Sequence, residues 1–435
     1  MRLRSLLRTL PEGTLAVGLG ILASGLGSYG FLVLSGRALG PQRYGALSVL
    51  WALIFLAGPG FFFPLEQEVS RALAARRVVG LGGRPLVIRA AMAGGIMALA
   101  LLAAIWAGAN SLLEHLFDGQ SLLLIGFAIS LMSYFVQHTV RGVLSGTGRF
   151  GAFGGVVAAD GLLRFGGAVV LLVLGVKVAG PYGLVLGLAP ILACAVALRG
   201  LRGWGGDGPA APWGELSSAL GFLLAGAVLA QFLVNAGPVA VKLFSGPNQD
   251  AAAGRFLAGL VVARVPLTLF QAVQVALLPK LSALAGSGAR AEFRHGIRRI
   301  VLTVGVFGAL VTAGAYATGP WFVRTFFGAG FVLGRVDLAY LAGGSAAYML
   351  ALSMAQALIA LSAYAKAALG WLAGVVVFIA VVAARSGLLA GVEAGYLWGS
   401  LVAAAGMSLM LFKSLTQVDA VPHAIDATVA VPLEP

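Results

Sequence analysis

Long apolar runs separated by short polar stretches are the main pattern of this chain. A helix needs about 20 apolar residues to cross the hydrocarbon core of a membrane. Twelve runs are close to that length, and the last three are separated only by Lys366 and Arg385. By residue number they are 13–36, 45–65, 88–110, 120–140, 151–175, 182–199, 215–241, 254–279, 300–320, 337–361, 367–384 and 388–412. The pattern predicts an all-α polytopic membrane protein with about twelve transmembrane helices.

The composition excludes most other classes of protein. Of the 435 residues, 60% are hydrophobic and 10% are charged, whereas soluble domains are about 45–50% apolar and about 25% charged. A soluble enzyme and a disordered chain are therefore excluded. A single cysteine, Cys194, rules out an internal disulfide. The four histidines are scattered over separate segments and no P-loop motif is present, so neither a metal nor a cofactor is expected.

The net charge of +14 is interpreted as an orientation signal. Lysine and arginine accumulate in cytoplasmic loops, and with the N-terminus inside, 19 of them fall in cytoplasmic segments against 7 outside. Both termini are therefore predicted to be cytoplasmic. The excess charge is expected to attract anionic membrane lipids, and no nucleic acid partner is expected. Arginine outnumbers lysine and the chain has 63 glycines, which is typical of a GC-rich bacterial genome and favours the bacterial plasma membrane.

The two halves of the chain share a pattern. Helices one and two are joined by residues 34–45, and helices seven and eight by residues 241–254; both joints contain a basic residue, Gly-Pro and then glycine. Pro59 and Pro266 lie in the helices that follow and are candidate hinges, the alternative being static kinks. The predicted units are an N-terminal six-helix lobe (1–205), a Gly/Pro linker (206–214), a C-terminal six-helix lobe (215–413) and a polar cytoplasmic tail (414–435).

Three stretches resemble a known family. Residues 34–77 contain Leu-Gly-Pro-Gln-Arg-Tyr-Gly and Pro-Leu-Glu-Gln-Glu-Val-Ser-Arg; residues 141–164 contain Arg-Gly-Val-Leu-Ser-Gly-Thr-Gly-Arg-Phe; residues 235–284 contain Ala-Arg-Val-Pro and Leu-Leu-Pro-Lys-Leu-Ser. They resemble the polysaccharide-exporter branch of the multidrug/oligosaccharidyl-lipid/polysaccharide (MOP) flippase superfamily. The resemblance covers helices one to eight by motif and the others by hydropathy. It implies two six-helix lobes around a central cavity and movement of a lipid-linked saccharide between leaflets.

Charged residues inside spans are candidate site residues, because burying them in a bilayer is costly. Asp160 and Arg164 are four residues apart on helix five, so they share a face and can pair. They either line the cavity, with Arg164 on a diphosphate, or form a self-neutralising structural pair. Arg264 lies deep in helix eight, where its planar guanidinium suits phosphate oxygens. Glu393 lies near the outer end of helix twelve and is expected to reach water.

Further candidates are polar residues near the cavity and its inner entrance. Glu66 and Glu68 end helix two and either form an inner gate with Arg71 and nearby loop arginines or are ordinary interfacial charges. The uncharged candidates are expected to bind sugar hydroxyls or to join helices to one another. They are Gln231, Asn235, Gln271 and Gln274.

The sequence predicts a transporter and not an enzyme. Its substrate is expected to be a lipid-diphosphate-linked saccharide, moved from the inner to the outer leaflet by alternating access and driven by an ion gradient or the membrane potential. The alternative is a cation-coupled small-molecule or multidrug exporter of the same fold. A membrane-embedded polysaccharide polymerase or ligase needs a sizeable outer loop, and the longest one predicted, 321–336, is short. Cell-envelope glycan assembly proteins are expected partners, and the functional unit is expected to be a monomer.

Overall fold

The computed structural model describes residues 13–197, 206–216, 220–246, 249, 251–287, 290–384 and 387–419, and no β-strand occurs among them. Eleven long helices account for most of this part of the chain. They are α1 (Thr14–Val78), α2 (Arg84–Ala107), α3 (Ser121–Gly146), α4 (Phe150–Val173), α5 (Ala179–Cys194), α6 (Leu220–Phe244), α7 (Ala252–Gly286), α8 (Arg290–Phe327), α9 (Arg335–Ala360), α10 (Tyr364–Ala384) and α11 (Leu388–Asp419). Most of the predicted tail, residues 420–435, lies outside the described residues.

The first helix is a hairpin of two passes. At Gly40 the backbone leaves helical geometry with φ 70° and ψ 166°, a conformation that glycine adopts without the penalty a Cβ would bring. Residues 14–39 pack parallel to α4, with Gly20 on Gly154 and Gly27 on Gly161. Residues 41–78 pack parallel to α3 in the same way. Since a three-residue turn makes α3 and α4 antiparallel, the two passes of α1 are antiparallel as well.

Within the described residues, each of the twelve predicted spans coincides with a helical pass. Ten described helices are long and apolar enough to cross a membrane, and the first of them, Leu15–Val78, has 64 residues and folds back at Gly40. The apolar α5 adds a shorter helix of 16 residues. Counting α1 twice gives twelve passes of a multi-pass membrane protein.

The segments between helices are shorter than predicted, because the helices continue past their apolar runs. The basic stretch 70–87 is helical except for residues 79–83. Arg141 follows the predicted span 120–140 but lies within α3. The predicted outer loop 321–336 shrinks to residues 328–334, since α8 runs to Phe327. A catalytic outer loop of the size expected for a polymerase is therefore missing from this described segment.

The two halves of the chain meet mainly through α1. Its second pass contacts α6, where Gly60 lies against Val228, and both passes contact α7. We call the end of the bundle at Gly40 the outer end, following the charge-based orientation, and the opposite end the inner end. At the outer end, the Arg37 guanidinium donates to the carbonyl oxygens of Thr325 and Phe326, so the first pass is tied to the end of α8.

The segment 206–216 lies against the inner end of the N-terminal half. Arg76 Nε and Nη2 donate to the two carboxylate oxygens of Glu215 at 2.7 and 2.9 Å. Arg76 Nη1 also donates to the carbonyl oxygen of Pro209 at 3.2 Å. Ala211 and Leu216 join a buried apolar cluster with side chains of α1, α2 and α3. The predicted linker is thus attached by polar and apolar contacts to the first half.

Candidate functional site

A buried arginine lies in the middle of the N-terminal half. Arg164 is 2% exposed and its Nη2 donates to Asp160 Oδ2 at 2.6 Å and to the Tyr134 hydroxyl at 2.9 Å. Nη1 donates to Ser28 Oγ at 3.1 Å. The Cζ atom lies 5.5 Å from the centroid of the Phe55 ring, a cation–π distance. The sequence prediction that Asp160 and Arg164 pair is correct, and the pair is held by three helices.

A chain of polar side chains leads from this arginine to the inner end. The ring of His138 stacks on that of Tyr134, with centroids 5.7 Å apart. His138 Nδ1 lies 2.6 Å from Glu66 Oε2, and Arg141 Nη2 lies 3.1 Å from Glu66 Oε1. Both Glu66 and His138 are buried. Because a buried carboxylate is stable only when paired, the Arg141 guanidinium and the His138 ring, both on α3, fix the position of Glu66.

A second arginine occupies the C-terminal half. Arg264 Nη1 donates to Asn235 Oδ1 at 3.2 Å, and Asn235 Nδ2 donates to Gln231 Oε1 at 2.8 Å. The Arg264 Cζ atom is 5.8 Å from the centroid of the Tyr396 ring. Arg264 Nε and Nη2 have no hydrogen-bond partner among the described residues. This guanidinium is therefore only partly satisfied by the side chains around it.

The first pass of α1 touches both clusters. Ser28 accepts the hydrogen bond from Arg164. The next residue, Tyr29, has its hydroxyl 2.5 Å from Thr268 Oγ1, one helical turn beyond Arg264. The Tyr29 hydroxyl also lies within the electrostatic influence of the Arg264 guanidinium. Adjacent residues of a helix point about 100° apart, so α1 lies between the two arginines.

The other predicted residues are distributed around this arrangement. Glu68 pairs with Arg71 at 2.8 Å, and Glu66 pairs with Arg141, an arginine of a predicted loop that in the structure belongs to α3. Glu66 also contacts the ring of His138, which the inner-gate hypothesis does not include. A gating role for these contacts stays a prediction. The side chains of two further candidates lie outside the described part of the structure, although both residues are in α7. They are Gln271 and Gln274.

The two candidate hinges lie in continuous helices. Pro59 is inside the second pass of α1, whose break from helical geometry is at Gly40 instead. Gly58 packs on the Tyr134 ring and Gly60 faces Val228 and Gln231, so Pro59 lies between the two halves. Pro266 lies inside α7, two residues beyond Arg264. Movement about either proline stays a prediction.

Glu393 does not reach water as expected. It is 1% exposed, and its carboxyl group lies beside that of Asp337, at the start of α9. Asp337 and Arg255 also line a cavity of about 650 Å³ at the outer end. The carboxyl group is buried because its turn of α11 packs against α9, where Tyr396 contacts Gly344.

Sequence reasoning missed three members of the network: Tyr134, His138 and Arg141. A signal was present, because Tyr134 and His138 are four residues apart on α3, just as Asp160 and Arg164 are on α4. Two such pairs on successive antiparallel helices are brought to the same level by the short turn between them. Attention to this spacing would have placed His138 beside the site.

The two halves are closed together at the outer end. Lys242 Nζ lies 2.7 Å from Asp118 Oδ1, which joins the end of α6 to the turn before α3. The buried Tyr44 packs against the rings of Phe327 and Phe331, with centroids 6.2 and 5.7 Å away. Gly254 approaches the backbone of Pro41 so closely that a Cβ would clash. The two halves therefore meet closely at this end.

Comparison with known proteins gives sequence relatives of undescribed activity. No family model matches the chain. An uncharacterized protein of Mycobacterium bovis is 26% identical over 388 residues, which cover 84% of each chain. An uncharacterized protein of Mycobacterium tuberculosis is 27% identical over 365 residues, covering 80% of this chain and 79% of the relative.

Solved structures are similar over nearly the whole length. An inward-facing multidrug resistance MATE family transporter of the MOP superfamily gives a TM-score of 0.69 at 14% identity, covering 94% of this chain and 99% of the other. A Vibrio cholerae MATE transporter gives 0.66 at 16% identity, covering 93% and 96%. The chain has the fold of the MATE transporters. This confirms the all-α fold, while the polysaccharide-exporter branch, the lobe boundaries and the orientation of the termini stay predictions.

Proposed function

We propose that the chain is a transporter that moves a lipid-diphosphate-linked saccharide from the inner to the outer leaflet by alternating access. The observation that carries the proposal is the position of Arg264, a permanent cation in mid-bundle with two nitrogen atoms free of partners among the described residues. A diphosphate supplies oxygens in the arrangement that a guanidinium binds in bidentate fashion. Arg164, from the other half, provides a second cation near the same helix α1.

The path that we propose follows the buried polar groups. The substrate enters from the inner leaflet past Glu66 and Arg141, and its diphosphate reaches the level of the two arginines. The closed outer end, held by Asp118 and Lys242, keeps the site from opening to both sides at once. Separation of the halves at that end, with movement about Pro59 and Pro266, would release the saccharide outward.

The test is flipping of a fluorescent polyprenyl-diphosphate oligosaccharide in proteoliposomes, followed by cleavage with an added glycosidase. Arg264→Gln removes the charge and keeps an amide, so we expect at least tenfold weaker apparent affinity, since hydrogen bonds to a charged group contribute roughly 1.5–3 kcal/mol. The exposed Arg298→Gln is the matched control. Unchanged flipping by Arg264→Gln in a folded protein would contradict the proposal.

A second function, cation-coupled export of small molecules, is favoured by a different observation. Glu393 is a buried carboxyl group beside the carboxyl group of Asp337, and such intramembrane groups commonly carry protons in transporters. This alternative predicts that an imposed pH gradient drives efflux of a cationic dye and that Glu393→Gln abolishes it. Dye efflux without saccharide flipping would favour the exporter over the flippase.

A further inference from the structure

A groove of about 390 Å³ opens at the inner end of the bundle, and none of its lining residues belongs to the Arg164 or Arg264 cluster. One wall is the first turns of α2, with Arg84 and Arg89. The other wall is the segment 206–216, with Asp207 and Ala211. Because Arg76 and Glu215 hold this segment in place, the groove is a fixed feature of the fold.

The groove is positively charged. Arg84 is the first residue of α2, whose N-terminus adds the positive end of the helix dipole. Arg84 Nη1 lies 3.2 Å from Asp207 Oδ1, but both side chains are largely exposed, so this ion pair is weak. The Arg89 guanidinium lies 4.9 Å from the centroid of the Trp213 ring. Because its walls contain two arginines and one exposed carboxylate, the groove favours an anionic ligand.

An apolar track continues from the groove along α2. Ile88 and Met92 line the groove itself, and Ile96 and Leu99 follow at helical spacing on the same face. Each of the four side chains is at least half exposed. The track leads from the level of the arginines toward the middle of the membrane-spanning helix, where its surroundings are hydrocarbon. A soluble anion would leave this surface unused.

We propose that this groove binds one anionic glycerophospholipid from the inner-end leaflet. Its phosphate lies between Arg84 and Arg89, and an acyl chain follows the track from Ile88 to Leu99. Trp213, an exposed indole beside the arginines, lies at headgroup level, where tryptophan is favoured. The bound lipid touches α2 and the segment 206–216 together, so it holds that segment on the first half. The proposal is independent of the transported substrate.

The test is native mass spectrometry of the whole protein in micelles, titrated with phosphatidylglycerol or phosphatidylcholine. Wild type should retain one phosphatidylglycerol and bind phosphatidylcholine much more weakly. Each arginine near a lipid surface changes binding by about fivefold, so Arg84→Gln with Arg89→Gln should weaken phosphatidylglycerol binding about 25-fold. Arg298→Gln with Arg299→Gln removes the same charge elsewhere and should have no effect on this site.

Two further variants separate binding from folding. The conservative pair Arg84→Lys and Arg89→Lys keeps the charge and should retain most of the affinity. Asp207→Asn removes the carboxylate that competes with the lipid phosphate for Arg84, so it should tighten lipid binding severalfold. If the Arg84–Asp207 pair instead served only to hold the groove together, Asp207→Asn would weaken lipid binding. Glycerol phosphate, which lacks the tail, should bind at least tenfold more weakly. Equal binding of both phospholipids, or no effect of the double glutamine variant, would overturn the proposal.

Discussion

The ion pair between Arg76 and Glu215 allows a quantitative prediction about the segment between the halves. Glu215→Gln preserves the shape of the side chain and an oxygen acceptor but removes the negative charge. Arg76 is 5% exposed and Glu215 is 32% exposed, so the pair is shielded from water on the arginine side. We expect the free energy that holds residues 206–216 on the N-terminal half to fall.

The magnitude follows from the kind of hydrogen bond that is lost. Bonds to a charged group contribute roughly 1.5–3 kcal/mol and neutral ones roughly 0.5–1.5 kcal/mol. The partial exposure of Glu215 reduces the difference, so a loss of about 1 kcal/mol is expected, which is about fivefold in the opening equilibrium. Asp207→Asn is the matched control. Its carboxylate is 89% exposed, and its loss should change opening by less than about twofold.

The assay is hydrogen exchange of the peptide that covers residues 206–216, in micelles free of phospholipid. The amides of Glu215 and Leu216 donate to carbonyl oxygens within the segment, and Leu216 is buried against the first half, so separation of the segment should expose its amide to exchange. The Arg76 guanidinium lowers the pKa of Glu215 below its usual value. The free energy with which this pair holds the segment on the N-terminal half is therefore fully present at neutral pH, and it is lost as the pH falls through the lowered pKa of Glu215. Equal exchange of wild type and Glu215→Gln at pH 7 would refute the reasoning.

Two other predictions concern packing and closure. Gly161→Ala should lower the thermal midpoint, since a Cβ would lie 2.5 Å from a carbonyl oxygen of α1 and such overpacking costs about 1–3 kcal/mol; Gly166→Ala, with nothing within 4 Å, should leave the midpoint unchanged or raise it. Asp118→Asn breaks the ion pair at the outer end. Spin labels placed at the exposed Trp106 and Trp321 should then show a population of longer distances that is about two- to fivefold larger than in wild type. An unaltered distance distribution would show that the pair does not hold the halves together.

Helix number could be predicted from the sequence because it depends on a simple physical quantity, the length of an apolar run. Helix ends could not, because the polar ends of these helices are held by tertiary contacts. Arg141 is an example: its charge suggested a loop, but Glu66 and the Phe153 ring, 5.0 Å away, accommodate it inside α3. The turn between the first two passes is another, since the sequence predicts a loop between residues 36 and 45 but the backbone leaves helical geometry only at Gly40.

Contacts of the candidate site that lie within one helix could be predicted from the sequence. Contacts between different helices could not. The pairing of Asp160 with Arg164 follows from their spacing on one helix. The pairing of Glu66 with His138 joins residues 72 positions apart and depends on how α1 lies against α3. Burial of Glu393 likewise depends on the packing of α9, which periodicity in α11 alone cannot indicate.

The position of α1 between the two arginines has a consequence for cooperativity. Ser28 and Tyr29 are neighbours on one rigid helix, and each contacts a different cluster. A rotation of this helix cannot improve one contact without changing the other, so an event at either arginine alters the energy of the other. The two halves are therefore coupled through the first pass of α1, and binding at one arginine should bias the conformation of the whole bundle.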